Sequence, residues 1–200
     1  IPPAPPPDPR ILKTHDNYAF MATRAAGKTV YVIRDGKDVA VSWYHHRRNF
    51  QGFEGSFDDH FEEFLNNDEY NWFVHVKDWI ANRLKRPVFV IKYEDLFEHF
   101  ESCIARLANF CDLEIDDTVV ARVCERSTFD FMKAHDAQFA PQASHFPDSA
   151  NSPYKIKSAA FLRPGQRGEE ANFLSKQQLQ AYQRKFDEVL GDVEAVTEYR

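Results

Sequence analysis

Two short runs of β-branched and aromatic residues constrain this chain more than any other feature: "KTVYVIR" from Lys28 to Arg34 and "RPVFVIKY" from Arg86 to Tyr93. Each has the length of a strand, and both carry continuous apolar stretches suited to burial on both faces. Between them the period becomes helical. Phe57, Phe61, Phe64 and Leu65 mark one helical face, and Trp72, Phe73, Val76, Trp79, Ile80 and Leu84 another. Strands separated by helices need crossover connections, so the spacing predicts an α/β fold with a parallel sheet flanked by helices. A third strand-like run, "RILKTH", starts at Arg10. An extra helical part is expected after residue 99, where Phe100, Ile104, Leu107, Ala108 and Cys111 share a face. The last helix is the best specified. Ser175 with Gln178 fits a capping box, Leu174 with Leu179 a hydrophobic staple, and Gly191 a stop. Its apolar face is Leu179, Tyr182, Phe186, Val189 and Leu190.

A chain of 200 residues with 43% hydrophobic content buries one core, and residues 10–200 read as one domain. Residues 1–9 contain six prolines and read as a connector, which implies that something natural precedes them. The net charge of -6 argues against a broad basic face for nucleic acid, so any anion site must be local. Cys103, Cys111 and Cys124 show no metal or redox spacing and are expected to be buried free thiols of a cytoplasmic protein. No run of about 18 apolar residues supports a membrane span.

Ligands of open parallel sheets collect at the carboxyl ends of the strands, beside helix N-termini. Three segments bring polar groups there. On a strand, Lys13 and His15 would share one side, an ammonium beside a proton acceptor. Arg34 ends the second run, Asp35 and Gly36 make the turn, and a helix starting near Lys37 carries Ser42 on its second turn. A guanidinium and a hydroxyl flanking a helix N-terminus suit a phosphate. Arg163, Gly165, Arg167 and Gly168 form a loop able to bring arginine forks and backbone N–H groups to an anion. Each alone also has a bland reading, as surface decoration, a capped turn or a solvated loop. His45, His46, His60, His75, His99, His135 and His145 show no metal-ligand spacing and read as surface or core polar residues.

Taken together, these segments resemble the cytosolic-type sulfotransferases. "PRILKTH" is similar to the motif before their catalytic site, "VYVIRDGKDVAVSWYHH" to their 3′-phosphate signature, and "VFVIKYEDL" to their central strand and turn. "RSTFDFMK" resembles their adenine-contacting segment and "FLRPGQRG" their C-terminal arginine-glycine loop, all in family order. The resemblance implies a three-layer, P-loop-NTPase-like fold and transfer of a sulfuryl group from 3′-phosphoadenosine 5′-phosphosulfate to a small-molecule hydroxyl or amine. Adenosine 3′,5′-bisphosphate would be the product, with no metal. It implies His15 as general base and Lys13 as charge stabiliser. Arg34 and Ser42 would hold the 3′-phosphate with Arg163 and Gly165, and Tyr93, Ser127, Phe129 and Met132 would line the adenine site.

Departures from the family pattern qualify this. Pro164 stands where a lysine is usual, a loss that Arg167 offsets in this reading; Asp16 and Asn17 replace a common Leu-Pro; Glu169 and Glu170 replace an Asp-Trp pair. The family's dimer motif is not found around Leu174 to Gln180, which leaves the oligomeric state open. Nothing in the chain resembles the 5′-phosphosulfate loop expected ahead of Lys13, so the expectation is a chain lacking that N-terminal part. A non-catalytic nucleotide-binding or interaction domain on the same scaffold is the alternative, and a magnesium-dependent small kinase a third. Residues 134–160 read as the variable loop over the acceptor mouth, which identifies no acceptor.

Overall fold

The computed structural model describes residues 11–24, 27–67, 71–83, 85–139, 162 and 169–200. Thr29–Ile33 (β1) and Val88–Lys92 (β2) pair in parallel, in a register running from Thr29 opposite Val88 to Ile33 opposite Lys92. A helix, Tyr18–Arg24 (α1), precedes them. Gly36–Phe50 (α2), Phe57–Asn66 (α3) and Trp72–Asn82 (α4) make the crossover that the change of period predicts. After β2 come Asp95–Glu98 (α5), Phe100–Phe110 (α6), Asp117–Arg126 (α7), Phe129–Ala134 (α8) and Asp136–Phe139 (α9). Lys176–Leu190 (α10) and a 3-10 turn, Glu194–Tyr199, end the chain.

The register puts Tyr31 and Ile33 on one face of the sheet with Val88 and Val90, and Val30 and Val32 on the other with Phe89 and Ile91. The first face enters the main core, where Tyr31 and Ile33 meet Phe61, Phe73, Val76, Trp79, Tyr182 and Phe186 from the crossover helices and α10. On the second face Phe110 of α6 stacks on Phe89 with ring centroids 5.3 Å apart, and Ile91 is buried. Helices thus lie on both sides of the sheet. Val30 and Val32, on the second face of β1, stay 38% and 51% exposed.

The helix starts follow local chemistry. Asp35 caps α2 by accepting from the Lys37 N–H at 2.8 Å, and α2 begins where the motif places it. Ser56 with Asp59 and Ser175 with Gln178 each close a capping box, and α10 stops at Gly191. The α10 staple is one-sided, because Leu174 is buried while Leu179 is 40% exposed. Tyr182, Phe186 and Leu190 make the buried stripe of α10, which packs on α4 and α3.

Two expectations are corrected. "RILKTH" gives no strand: Ile11 to Asn17 run as an irregular segment, with Ile11 and Leu12 87% and 68% exposed. A strand exists only with a hydrogen-bonded neighbour, and among the described residues β1 pairs with β2 alone. The strand alternation invoked for Lys13 and His15 therefore does not apply. Of the three free cysteines only Cys103 is buried; Cys111, which follows α6 as its C-cap, and Cys124 on α7 are half-buried. The proline-rich segment and Leu84 lie outside the described residues. Among the described residues no helix is long and apolar enough to cross a membrane.

Candidate functional site

Arg34 follows the last residue of β1 and stands at the N-terminus of α2. Its Nε and Nη2 donate to Asp38 Oδ2 at 3.3 and 2.9 Å, and its guanidinium lies 4.6 Å from the centroid of the Tyr93 ring. Tyr93 is fixed in turn, since its N–H donates to the Ile33 carbonyl at 2.7 Å and prolongs the sheet pairing. Carboxylate on one edge and aromatic ring beneath hold the planar fork in one orientation. Among the described residues Nη1 has no acceptor. Asp38 is 9% exposed, and its Oδ1 has no hydrogen-bond partner among the described residues. Ser42 lies one helical turn beyond Asp38 and is exposed. The first N–H groups of α2, the free edge of Arg34 and the Ser42 hydroxyl are thus donors on one stretch of an acidic molecule, of the kind that can hold an anion.

The last residues of the chain brace this turn. Lys37 Nζ donates to the Tyr199 carbonyl at 3.0 Å, pairs with Asp35 at 3.2 Å and lies 4.8 Å from the centroid of the Tyr182 ring. Tyr182 Oη donates to the same carbonyl at 3.3 Å, and Tyr199 Oη donates to Glu94 Oε2 at 2.7 Å, beside Tyr93. Burial pushes the Tyr182 and Tyr199 phenols well above their ordinary range, with the Glu94 contact adding to the rise at Tyr199. Burial also raises the Asp35 carboxyl, against the opposing charge of Lys37. Lys37 is therefore a brace of the turn.

Lys13 and His15 are exposed on the irregular segment before α1. They lie close enough to His46 of α2 for their charges to add to the lowering of its pKa, which burial dominates. The segment is tied down at Asp16. The Asp16 carbonyl accepts from Trp79 Nε1 at 3.2 Å and lies 3.2 Å from His75 Nε2, both from α4. Locally, the Thr14 hydroxyl donates to the Asp16 carboxylate, and the Asp16 N–H donates back to Thr14 Oγ1 at 3.1 Å. His46 and His75 read from sequence as surface or core polar residues, and the structure puts both against the Lys13–His15 segment. Their spacing from it in the chain gave no hint; α4 packing against residues 16–19 did the rest.

Ser127 ends α7, and Phe129 and Met132 lie on α8, which Thr128 caps by accepting from the Phe131 N–H at 3.2 Å. Ser127 is exposed, Phe129 is 43% exposed and Met132 is half-buried. Lys133 Nζ donates to the Leu162 carbonyl at 2.9 Å, and the Leu162 N–H donates to Asp136 Oδ1 at 2.7 Å. The residue before the arginine-glycine loop is thus fastened to the α8–α9 region. Arg163, Gly165, Arg167 and residues 140–161 lie outside the described residues.

Comparison with known proteins decides the family. The model of the sulfotransferase domain matches residues 4–194. The chain belongs to the sulfotransferase family. It is 30% identical over 184 residues to sulfotransferase 1B1 of Mus musculus, covering 88% of this chain and 59% of that sulfotransferase. With the amine sulfotransferase of Oryctolagus cuniculus it shares 26% identity, covering 93% of this chain and 63% of the relative. The chain thus spans about three-fifths of the length of the curated sulfotransferases it matches. The mouse sulfotransferase SULT7A1, solved in complex with PAP (adenosine 3′,5′-bisphosphate), superposes with a TM-score of 0.76 at 23% identity, covering 95% of this chain and 68% of that one. Retinol dehydratase, solved with retinol and PAP, superposes with a TM-score of 0.68 at 26% identity over 84% of this chain and 48% of its own. The α/β architecture described above is the sulfotransferase fold.

Proposed function

We propose that this chain carries the 3′-phosphate site and the catalytic base of an enzyme that transfers the sulfuryl group of 3′-phosphoadenosine 5′-phosphosulfate to a hydroxyl or amine of a small molecule. One observation supports this above the rest: Arg34, pinned by Asp38 and Tyr93 at the N-terminus of α2, keeps a free donor edge where a phosphate would sit. The PAP bound in two solved proteins of this fold is a ligand with that phosphate. Arg34 and Ser42 hold the 3′-phosphate with Arg163, Gly165 and Arg167. Ser127, Phe129 and Met132 take the adenine, and Tyr93 acts from beneath Arg34. His15 accepts the proton of the acceptor hydroxyl as its oxygen attacks sulfur. The bond from sulfur to the bridging oxygen of the 5′-phosphate breaks, and Lys13 stabilises the charge arriving on that oxygen. Positioning and electrostatics carry such a transfer, with little covalent work for the protein.

The test is His15→Ala in this protein. Transfer should fall by at least ~10²-fold, the contribution of a positioned base, while calorimetric binding of adenosine 3′,5′-bisphosphate stays unchanged. Wild-type turnover in the variant would sink the assignment. Nucleotide binding by the wild type without any transfer would favour a non-catalytic nucleotide-binding module.

A further inference from the structure

Two side chains of α4 converge on one main-chain atom of the segment that carries Lys13 and His15. Trp79 Nε1 donates to the Asp16 carbonyl at 3.2 Å, and His75 Nε2 lies 3.2 Å from the same oxygen. A carbonyl only accepts, so Nε2 carries the hydrogen, and Nδ1 is left to accept from Tyr31 Oη at 3.1 Å. Tyr31 itself cannot wander. It is 8% exposed, and its ring stacks on Trp79 with centroids 5.3 Å apart. Just downstream, the Ala19 N–H donates to Asp78 Oδ2 at 3.3 Å and Tyr18 meets Trp79 edge-on at 5.4 Å. The core thus fixes two donors, and these fix the end of a segment that has no strand neighbour among the described residues.

We infer that His75, held in one tautomer by Tyr31, is a positioning residue that with Trp79 grips the Asp16 carbonyl and so aims His15. This rests on the reading of His15 as the base. An exposed irregular segment would otherwise let the imidazole wander, and a misplacement near 1 Å costs on the order of 10²-fold in rate. The groups facing His75 are Tyr31 from β1, Asp78 from α4, and His15 and Asp16 from the segment. Burial, opposed by the Asp16 hydrogen bond, keeps the His75 imidazole below its ordinary range and leaves the Nδ1 lone pair to Tyr31.

The experiment uses the full-length protein with His75→Leu, His75→Gln, Tyr31→Phe and His15→Ala. Glutamine keeps an N–H donor near the Nε2 position, and leucine keeps only bulk. His75→Leu should lower kcat by about 10- to 100-fold with binding of adenosine 3′,5′-bisphosphate within about twofold of wild type, and His75→Gln should recover most of the loss. Backbone 15N order parameters at residues 13–17 should drop in His75→Leu and return in His75→Gln. Tyr31→Phe keeps the stacking ring and should cost about threefold in kcat, which tests the tautomer even if His75→Leu folds poorly. Unchanged order parameters, or glutamine no better than leucine, overturn the grip. Full turnover in His15→Ala instead removes the base assignment and leaves the order parameters to decide the grip alone.

Discussion

Arg34 shows how one side chain is held in a single orientation. Its fork meets Asp38 through one oxygen and the Tyr93 ring through its flat face, two contacts that only a planar guanidinium can make at once. Arg34→Lys should weaken binding of adenosine 3′,5′-bisphosphate at least about tenfold in calorimetric titration, with little change in melting temperature. Arg34 and Ser42 were legible in the sequence, because a strand end, a turn and a helix start fix their positions within nine residues of chain. His75 and His46 were not. Their neighbours on the Lys13–His15 segment are distant in sequence, and only the docking of α4 and α2 against that segment brings them to it.

At the scale of elements, the β1–α2 turn is built to a close tolerance. Gly36 is buried, and a Cβ there would sit 2.7 Å from Tyr182 Oη and 2.8 Å from the Trp72 ring. Gly36→Ala should therefore destabilise the protein by about 1–3 kcal/mol in urea unfolding, and it should weaken nucleotide binding as well, because the displaced turn carries Arg34. The glycine was visible in the sequence as a turn residue, but its reason, an aromatic lid from α10 and α4, was not. Continuous apolar runs gave β1 and β2 correctly. "RILKTH" also read as strand-like, yet Ile11 onward forms none, since hydrogen-bonded pairing depends on what lies alongside, which local residue preference does not encode.

For the whole molecule, acid is the expected weakness. His60 is fully buried between α2 and α3, with Nε2 2.9 Å from the Ala40 carbonyl and Nδ1 3.0 Å from Arg47 Nη1. Burial, the largest cause, holds its pKa down to about 4, and burial lowers those of His46 and His75 too. The unfolded chain takes up these protons first as pH falls below about 6.5, so the folded state loses stability from there down towards pH 4 and gains it back as pH rises. Urea unfolding at pH 7.5 and pH 5 should differ by about 2 kcal/mol from His60 alone, and His60→Gln should flatten that slope. The parallel pairing has a further consequence for how the chain comes to be folded. β1 cannot take β2 as its neighbour until Val88 and the residues around it have been made and α2, α3 and α4 have brought them back. During synthesis at about 5–20 residues per second that wait is on the order of seconds. Over that wait the edge of Thr29–Ile33 that faces β2 in the folded protein has not yet met it.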